Sequence, residues 1–126
     1  MSSSPIGVMD SGIGGLGVHK HIKALLPGER LIYVADTAFC PYGALPVSDV
    51  RRRCLLISRF FLAQECKMIT VACNTATAAA IETVRSTFPD IPVVGMEPAV
   101  KPAALHSKSG VVGILATPNT FHGRLY

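Results

Sequence analysis

The sequence has 126 residues, which is the length of a single domain and enough to enclose a hydrophobic core. Hydrophobic residues make up 49% of it and charged residues 16%, a balance that excludes a disordered polypeptide. The net charge of +4 arises partly from the cluster Arg51, Arg52 and Arg53. Because this cluster opens a predicted helix with an apolar face, a solvated surface is favoured over a nucleic-acid site.

Strands and helices alternate along the chain. Short apolar runs predict strands at 6–9, 31–35, 68–73, 91–95 and 110–115. The alternation is typical of an α/β fold, in which a parallel sheet is covered by helices on both faces. Ligands of such sheets bind beyond the carboxyl ends of the strands, so the polar residues there are the candidates for a site.

Helical spacing of apolar residues predicts the connecting helices. The first carries its apolar face on 16–26 and is stopped by Pro27 and Gly28. Ser48 or Asp49 is predicted to cap the second, and Asn74 or Thr75 the third. The buried stripe of the second helix is predicted to consist of Val50, Cys54, Ile57 and Phe61. A further helix is predicted to start at about residue 117.

No targeting segment, membrane span or metal motif is predicted. The N-terminal residues lack the basic and apolar regions of a signal peptide, and no apolar run approaches membrane-spanning length. The cysteines, Cys40, Cys54, Cys66 and Cys73, show neither C-x-x-C spacing nor histidines at ligand distance. We expect a cytoplasmic protein with reduced thiols, no bound metal, no nucleic-acid partner and no membrane contact.

Cys73 is the candidate reactive residue, because it stands where a buried strand delivers the chain to a helix. Unpaired amides and the dipole at a helix N-terminus favour thiolate over thiol, so a lowered pKa is expected there. Cysteine is also one of the residues most often buried for packing alone. The polar pair Asn74 and Thr75 directly behind Cys73 favours a function, since a structural cysteine gains nothing from them.

The glycine-rich turn after the first strand has three interpretations. Gly12, Gly14 and Gly17 fit G-x-G-x-x-G, and Asp36 ends the next strand, as in dinucleotide-binding folds. Asp10, just ahead of the turn, would instead oppose a pyrophosphate and suit an ammonium group. A tight turn that binds nothing is the third interpretation. The spacing leaves all three open.

Four motifs occur in order along the chain: IGVMDSGIGGL at 6–16, ADTA at 35–38 with PYG at 41–43, VACNTA at 71–76, and VGMEP at 94–98. Together they resemble the glutamate racemases of the aspartate/glutamate racemase superfamily. The resemblance implies a cofactor-independent enzyme that interconverts L- and D-glutamate and supplies the D-isomer for peptidoglycan. It implies that Cys73 is one of two catalytic cysteines. The residues that it places at the substrate are Asp10, Ser11, Tyr42, Gly43, Asn74 and Thr75.

The resemblance also implies a two-domain fold. Residues 1–98 match a first α/β domain and 99–126 begin a second, so the chain is similar to the front half of a longer enzyme that could form homo-oligomers. The family's second cysteine, in a Gly-Cys-Thr-His type motif, has no counterpart here, and Cys40 is a weak substitute for it. This chain alone is therefore expected to be inactive. A nucleotide-binding domain using the Gly12–Gly17 turn and a non-catalytic remnant are the alternatives.

Overall fold

Four short strands form one parallel sheet in the computed structural model, which describes residues 3–123. In chain order the strands are β1 (Ile6–Asp10), β2 (Leu31–Ala35), β3 (Met68–Val71) and β4 (Val93–Gly95), and their order across the sheet is β2-β1-β3-β4. β1 is central: its Val8 lies opposite Tyr33 of β2 and Thr70 of β3. The predicted α/β class is confirmed, and the carboxyl ends of β1 and β3 lie side by side.

Within residues 3–123, five helices and two 3₁₀ turns connect and follow the strands. The helices are α1 (Leu16–Leu25), α2 (Val47–Ala63), α3 (Asn74–Thr87), α4 (Val100–His106) and α5 (Pro118–Phe121). The 3₁₀ turns, Thr37–Phe39 and Tyr42–Ala44, lie between β2 and α2. Among residues 3–123, no helix combines the length and apolar character needed to cross a bilayer.

The core lies between the sheet and the helices α2 and α3. The predicted stripe of α2 is buried at all four positions, and Phe61 is completely enclosed. Phe61 packs so tightly on β1 that a Cβ atom added to Gly7 would lie 2.6 Å from its ring. Apolar burial on this face is the main term that stabilises the sheet.

The opposite face of the sheet is covered only in part. α1 has no buried residue, and Leu25 is 80% exposed. Val18 and Ile22 of α1 line one side of an apolar groove, and Met68 and Val94 of the sheet line the other. The expectation that helices lie on both faces of the sheet is therefore met, and among the described residues α1 covers the second face only in part.

Three local predictions are wrong. Residues 110–115 form no strand, since no described strand lies beside them, and Leu115 is fully exposed. α2 begins at Val47 after an extended Pro46, with no side-chain cap from Ser48 or Asp49. The cap of α3 is Cys73 itself, and not Asn74 or Thr75.

Candidate active site

Polar side chains meet at the carboxyl edge of the sheet, as the sequence predicts. β1 ends at Asp10, and Ser11 follows it. β3 is followed by Ala72 and Cys73, and the Cys73 Sγ lies 3.8 Å from the Ser11 Oγ. Because β1 and β3 are neighbours, this edge brings a carboxylate, a hydroxyl and a thiol into one cluster.

Cys73 occupies the N-cap position of α3. Its backbone is extended (φ −124°, ψ 119°), and its Sγ accepts a hydrogen bond from the Ala76 N–H at 3.4 Å. The side chain is 8% exposed, and Asn74 beside it is exposed. The thiol thus accepts a hydrogen bond from one of the free N–H groups at the start of α3, and other N–H groups of the first turn remain available to a ligand.

The pKa of Cys73 is raised, which corrects the expected lowering. Burial raises the pKa most, and the negative charge of Asp10 adds to it. The hydrogen bonds from Ala76 and Ser11 lower the pKa but do not overcome burial. In the chain without a ligand, Cys73 is therefore a neutral thiol at neutral pH.

The glycine turn folds around Asp10. The Asp10 Oδ2 accepts hydrogen bonds from the Gly12 and Gly15 N–H groups, each at 3.1 Å. Gly15 is required by close approach, since a Cβ there would lie 2.8 Å from the Asp10 Cβ, whereas Gly17 faces open space. The amides that a pyrophosphate would need already bind a carboxylate, so the geometry disfavours the dinucleotide interpretation.

Asp36 is likewise engaged within the protein. Arg53 of α2 donates two hydrogen bonds to its carboxylate, at 2.9 and 2.8 Å, and the Tyr42 hydroxyl donates a third at 2.6 Å. The Arg53 guanidinium also lies 4.0 Å from the centre of the Phe39 ring. Burial alone would raise the Asp36 pKa, but the bonds from Arg53 and Tyr42 and the Arg53 charge bring it below its usual value. Asp36 is an anchor for the following loop, and not a free ribose ligand.

The two loop residues predicted to contact substrate have structural partners. Tyr42 is 2% exposed, and its hydroxyl is occupied by Asp36, so only its backbone remains for a ligand. A Cβ atom added to Gly43 would lie 2.7 Å from the Thr117 Cγ2. Gly43 is thus needed for the close approach of the segment that starts α5.

A cluster of threonine hydroxyls joins this segment to α3. The Thr117 Oγ1 lies 2.8 Å from the Thr75 Oγ1 and 3.0 Å from the Thr120 Oγ1. The sequence predicts a helix start at about residue 117 but gives no signal that Thr120, Arg53 and Asn119 belong to this region. The pattern Thr117-Pro118-Asn119-Thr120 signals a helix start and gives no sign that its side chains reach the site.

The other cysteines lie in different environments. Cys40 is exposed, and its Sγ would lie 3.3 Å from a Cβ on Gly12, so it borders the glycine turn. Cys54 and Cys66 are buried, and burial raises the pKa of Cys54 to about 12. Over the described part of the chain, no three His, Cys, Asp or Glu side chains are arranged to hold a metal ion.

Fold and site together define a class: a parallel α/β protein with a buried thiol, a carboxylate and hydroxyls at the carboxyl edge of its sheet. The family model for Asp/Glu/Hydantoin racemase matches residues 6–126. The chain belongs to this family.

Named relatives extend the comparison. The glutamate racemase of Ectopseudomonas mendocina is 55% identical over 119 residues, which are 94% of this chain and 45% of that protein. The structure of Escherichia coli glutamate racemase with L-glutamate and the activator UDP-MurNAc-ala matches 97% of this chain and 46% of its own, at TM-score 0.85 and 38% identity. The Francisella tularensis glutamate racemase with D-glutamate matches 96% and 45%, at TM-score 0.78 and 36% identity. The chain spans about half the length of these relatives.

Proposed function

We propose that this chain is the thiol-bearing part of a two-domain enzyme that interconverts L- and D-glutamate without a cofactor. The observation that carries the proposal is the placement of Cys73, buried at the start of α3 and 3.8 Å from Ser11. The bound L- and D-glutamate in the two related structures support the choice of substrate. Residues 1–98 form the first domain in this proposal, and 99–126 begin the second.

In this proposal, the charges of the site determine where the ammonium and carboxylate groups of an amino acid bind. Asp10 and Ser11 face the substrate ammonium, because a carboxylate at this position attracts a cation. The first turn of α3, at Asn74 and Thr75, receives a carboxylate through its free amides. The backbone of Tyr42 and Gly43 holds the other polar end.

Racemisation then requires one proton transfer on each face of the α-carbon. When Cys73 is a thiolate, it takes the α-proton and the electron pair stays on the carbon. A second acid, on the opposite face, returns a proton and completes the inversion. In the reverse direction the neutral Cys73 thiol is the proton donor, and its raised pKa favours that state in the unliganded site.

The second acid is expected outside these 126 residues, so the chain alone should exchange a proton on one face at most. Acid-base chemistry needs reduced thiols, which fits a cytoplasmic enzyme. In this proposal the D-glutamate supplies peptidoglycan synthesis, and hence cell-wall formation and cell shape.

The test uses a hybrid enzyme, in which residues 1–126 are followed by the part of the Ectopseudomonas mendocina racemase beyond the matched region. Optical rotation follows conversion of L-glutamate, and proton NMR in D₂O follows α-proton exchange. Cys73→Ala should lower kcat by roughly 10²–10⁴-fold, the usual contribution of an acid/base group. The matched control is Cys66→Ala, which removes a buried thiol next to the opposite edge of the sheet and should leave kcat unchanged.

Near-normal racemisation by a folded Cys73→Ala hybrid would refute the role of Cys73. The 126-residue chain is assayed beside the hybrid, and racemisation by that chain at ordinary enzyme rates, about 1 s⁻¹ or more, would contradict the need for a second half. In that case Cys40→Ala would show whether the exposed thiol beside the glycine turn is the second acid.

A further inference from the structure

The loop that carries Tyr42 and Gly43 is held from two sides. On one side, the Tyr42 hydroxyl is bonded to Asp36, which α2 fixes through Arg53. On the other side lies the segment that starts α5. The Tyr42–Asp36 contact joins residues six positions apart, whereas the second contact joins residues more than 70 positions apart.

Asn119 makes this second connection. Its side-chain Nδ2 donates to the backbone carbonyl of Tyr42 at 3.3 Å and to that of Leu45 at 3.0 Å. One amide group therefore spans the Tyr42–Ala44 3₁₀ turn, whose own bonds run from Ala44 N–H to Pro41 and from Leu45 N–H to Tyr42.

The segment that starts α5 also packs tightly against the loop that carries Tyr42 and Gly43. The Thr117 methyl group fills the space that a side chain on Gly43 would need, since a Cβ atom there would lie only 2.7 Å from it. Thr117 is in turn bonded to Thr75 in the first turn of α3. The loop, α5 and α3 are therefore packed together. Among the described residues, Asn119 makes the only side-chain to backbone hydrogen bonds between α5 and the loop.

We propose that Asn119 is a positioning residue, which holds the 41–45 loop at the distance from α3 that substrate binding requires. Asn119 acts through the backbone of Tyr42 and Leu45 and does not itself need to touch the substrate. The inference rests on the proposed function, because the loop matters to catalysis only if its backbone binds glutamate.

The first measurement is independent of activity. Amide hydrogen exchange of Ala44 and Leu45 is compared between the wild-type 126-residue chain and its Asn119→Ala and Asn119→Asp variants. Losing two hydrogen bonds should speed exchange of these amides by about three- to ten-fold, while exchange in β1 stays unchanged. The matched control is His122→Ala, since the ring of exposed His122 at the end of α5 bonds to the Pro118 carbonyl in its own turn.

The second measurement uses the hybrid enzyme. Asn119→Ala should raise the KM for glutamate by about three- to ten-fold, and Asn119→Asp more, because a carboxylate faces two carbonyl oxygens without a donor. kcat should stay within about two-fold, since the reacting thiol is untouched. A merely structural role would reduce the folded fraction, which lowers apparent kcat and leaves KM at its wild-type value.

The outcomes separate the two proposals. Unchanged exchange of Ala44 and Leu45 in both variants overturns the positioning role, and so does a wild-type KM in an active hybrid. A hybrid that carries Asn119 and does not racemise glutamate refutes the proposed function instead, and the exchange rates then decide the inference by themselves.

Discussion

Replacing Arg53 with alanine should destabilise the chain far more than replacing its neighbour Arg52. Arg53 donates two hydrogen bonds to Asp36, which is 7% exposed. Arg52 pairs with Asp49 on the surface, and the side chains of that pair are 61% and 41% exposed. The two substitutions remove the same side chain from adjacent positions of α2, so the environment of the carboxylate is the main difference.

The structure sets the magnitude. Removing one partner of a buried ion pair costs about 3–5 kcal/mol, because the other charge stays buried without compensation. Here Arg53 is 21% exposed and the Tyr42 hydroxyl still donates to Asp36, so we expect the lower value of about 2–3 kcal/mol. Arg52→Ala should cost about 0–0.5 kcal/mol, as for other exposed pairs.

Urea unfolding of the 126-residue chain and its variants measures both free energies, and the pH dependence tests the cause. The lowered pKa of Asp36 means that its contribution is present above the unfolded-state pKa and is lost as the pH falls through the folded-state pKa. The difference between wild type and Arg53→Ala should therefore be full at pH 7 and shrink as the pH falls below about 4, through the folded-state pKa of Asp36. Equal losses for Arg52→Ala and Arg53→Ala, or a pH-independent difference, would refute the reasoning.

Three further substitutions test the strand β1, the turn after it and α1. Asp10→Asn keeps an oxygen for the Gly12 and Gly15 amides, so its free energy of unfolding should stay near the wild-type value. The lost charge should weaken glutamate binding in the hybrid. Micromolar binding of NAD by the wild-type chain in a calorimetric titration would restore the dinucleotide interpretation. Gly7→Ala should cost about 1–3 kcal/mol in urea unfolding, because its Cβ would lie 2.6 Å from the Phe61 ring, whereas Gly17→Ala, with open space around it, should be neutral or stabilising. Equal free energies of unfolding for these two alanine variants would contradict the prediction and show that the sheet adjusts to a side chain at Gly7.

The sequence predicts what depends on local pattern. Four strands were predictable because each is a short apolar run, and the α2 stripe because Val50, Cys54, Ile57 and Phe61 recur at helical spacing. Residues 110–115 have the same apolar character, but a strand also needs a hydrogen-bonded neighbour, and none of the described strands lies beside them. The local sequence pattern does not predict whether such a neighbouring strand is present.

The site shows the same division. Motif and position make Asp10 and Cys73 candidates for the site, since both lie at the carboxyl ends of buried strands. The pKa of Cys73 could not be predicted, because burial and the Ala76 amide act in opposite directions and only geometry gives their balance. The pairing of Arg53 with Asp36 and the reach of Asn119 to Tyr42 join residues 17 and 77 positions apart, and no local signal announces them.

The edge of the sheet carries two helix N-termini that differ in charge. α1 and α3 both begin there, and each would attract an anion through its free amides. At the first, Asp10 supplies the anion from within the protein, by way of Gly12 and Gly15. At the second, the cap is the neutral thiol of Cys73, which leaves the positive end of the α3 dipole uncompensated. The edge is therefore negative on the β1 side and positive on the β3 side, a polarity that suits the ammonium and carboxylate of one amino acid better than the two phosphates of a dinucleotide.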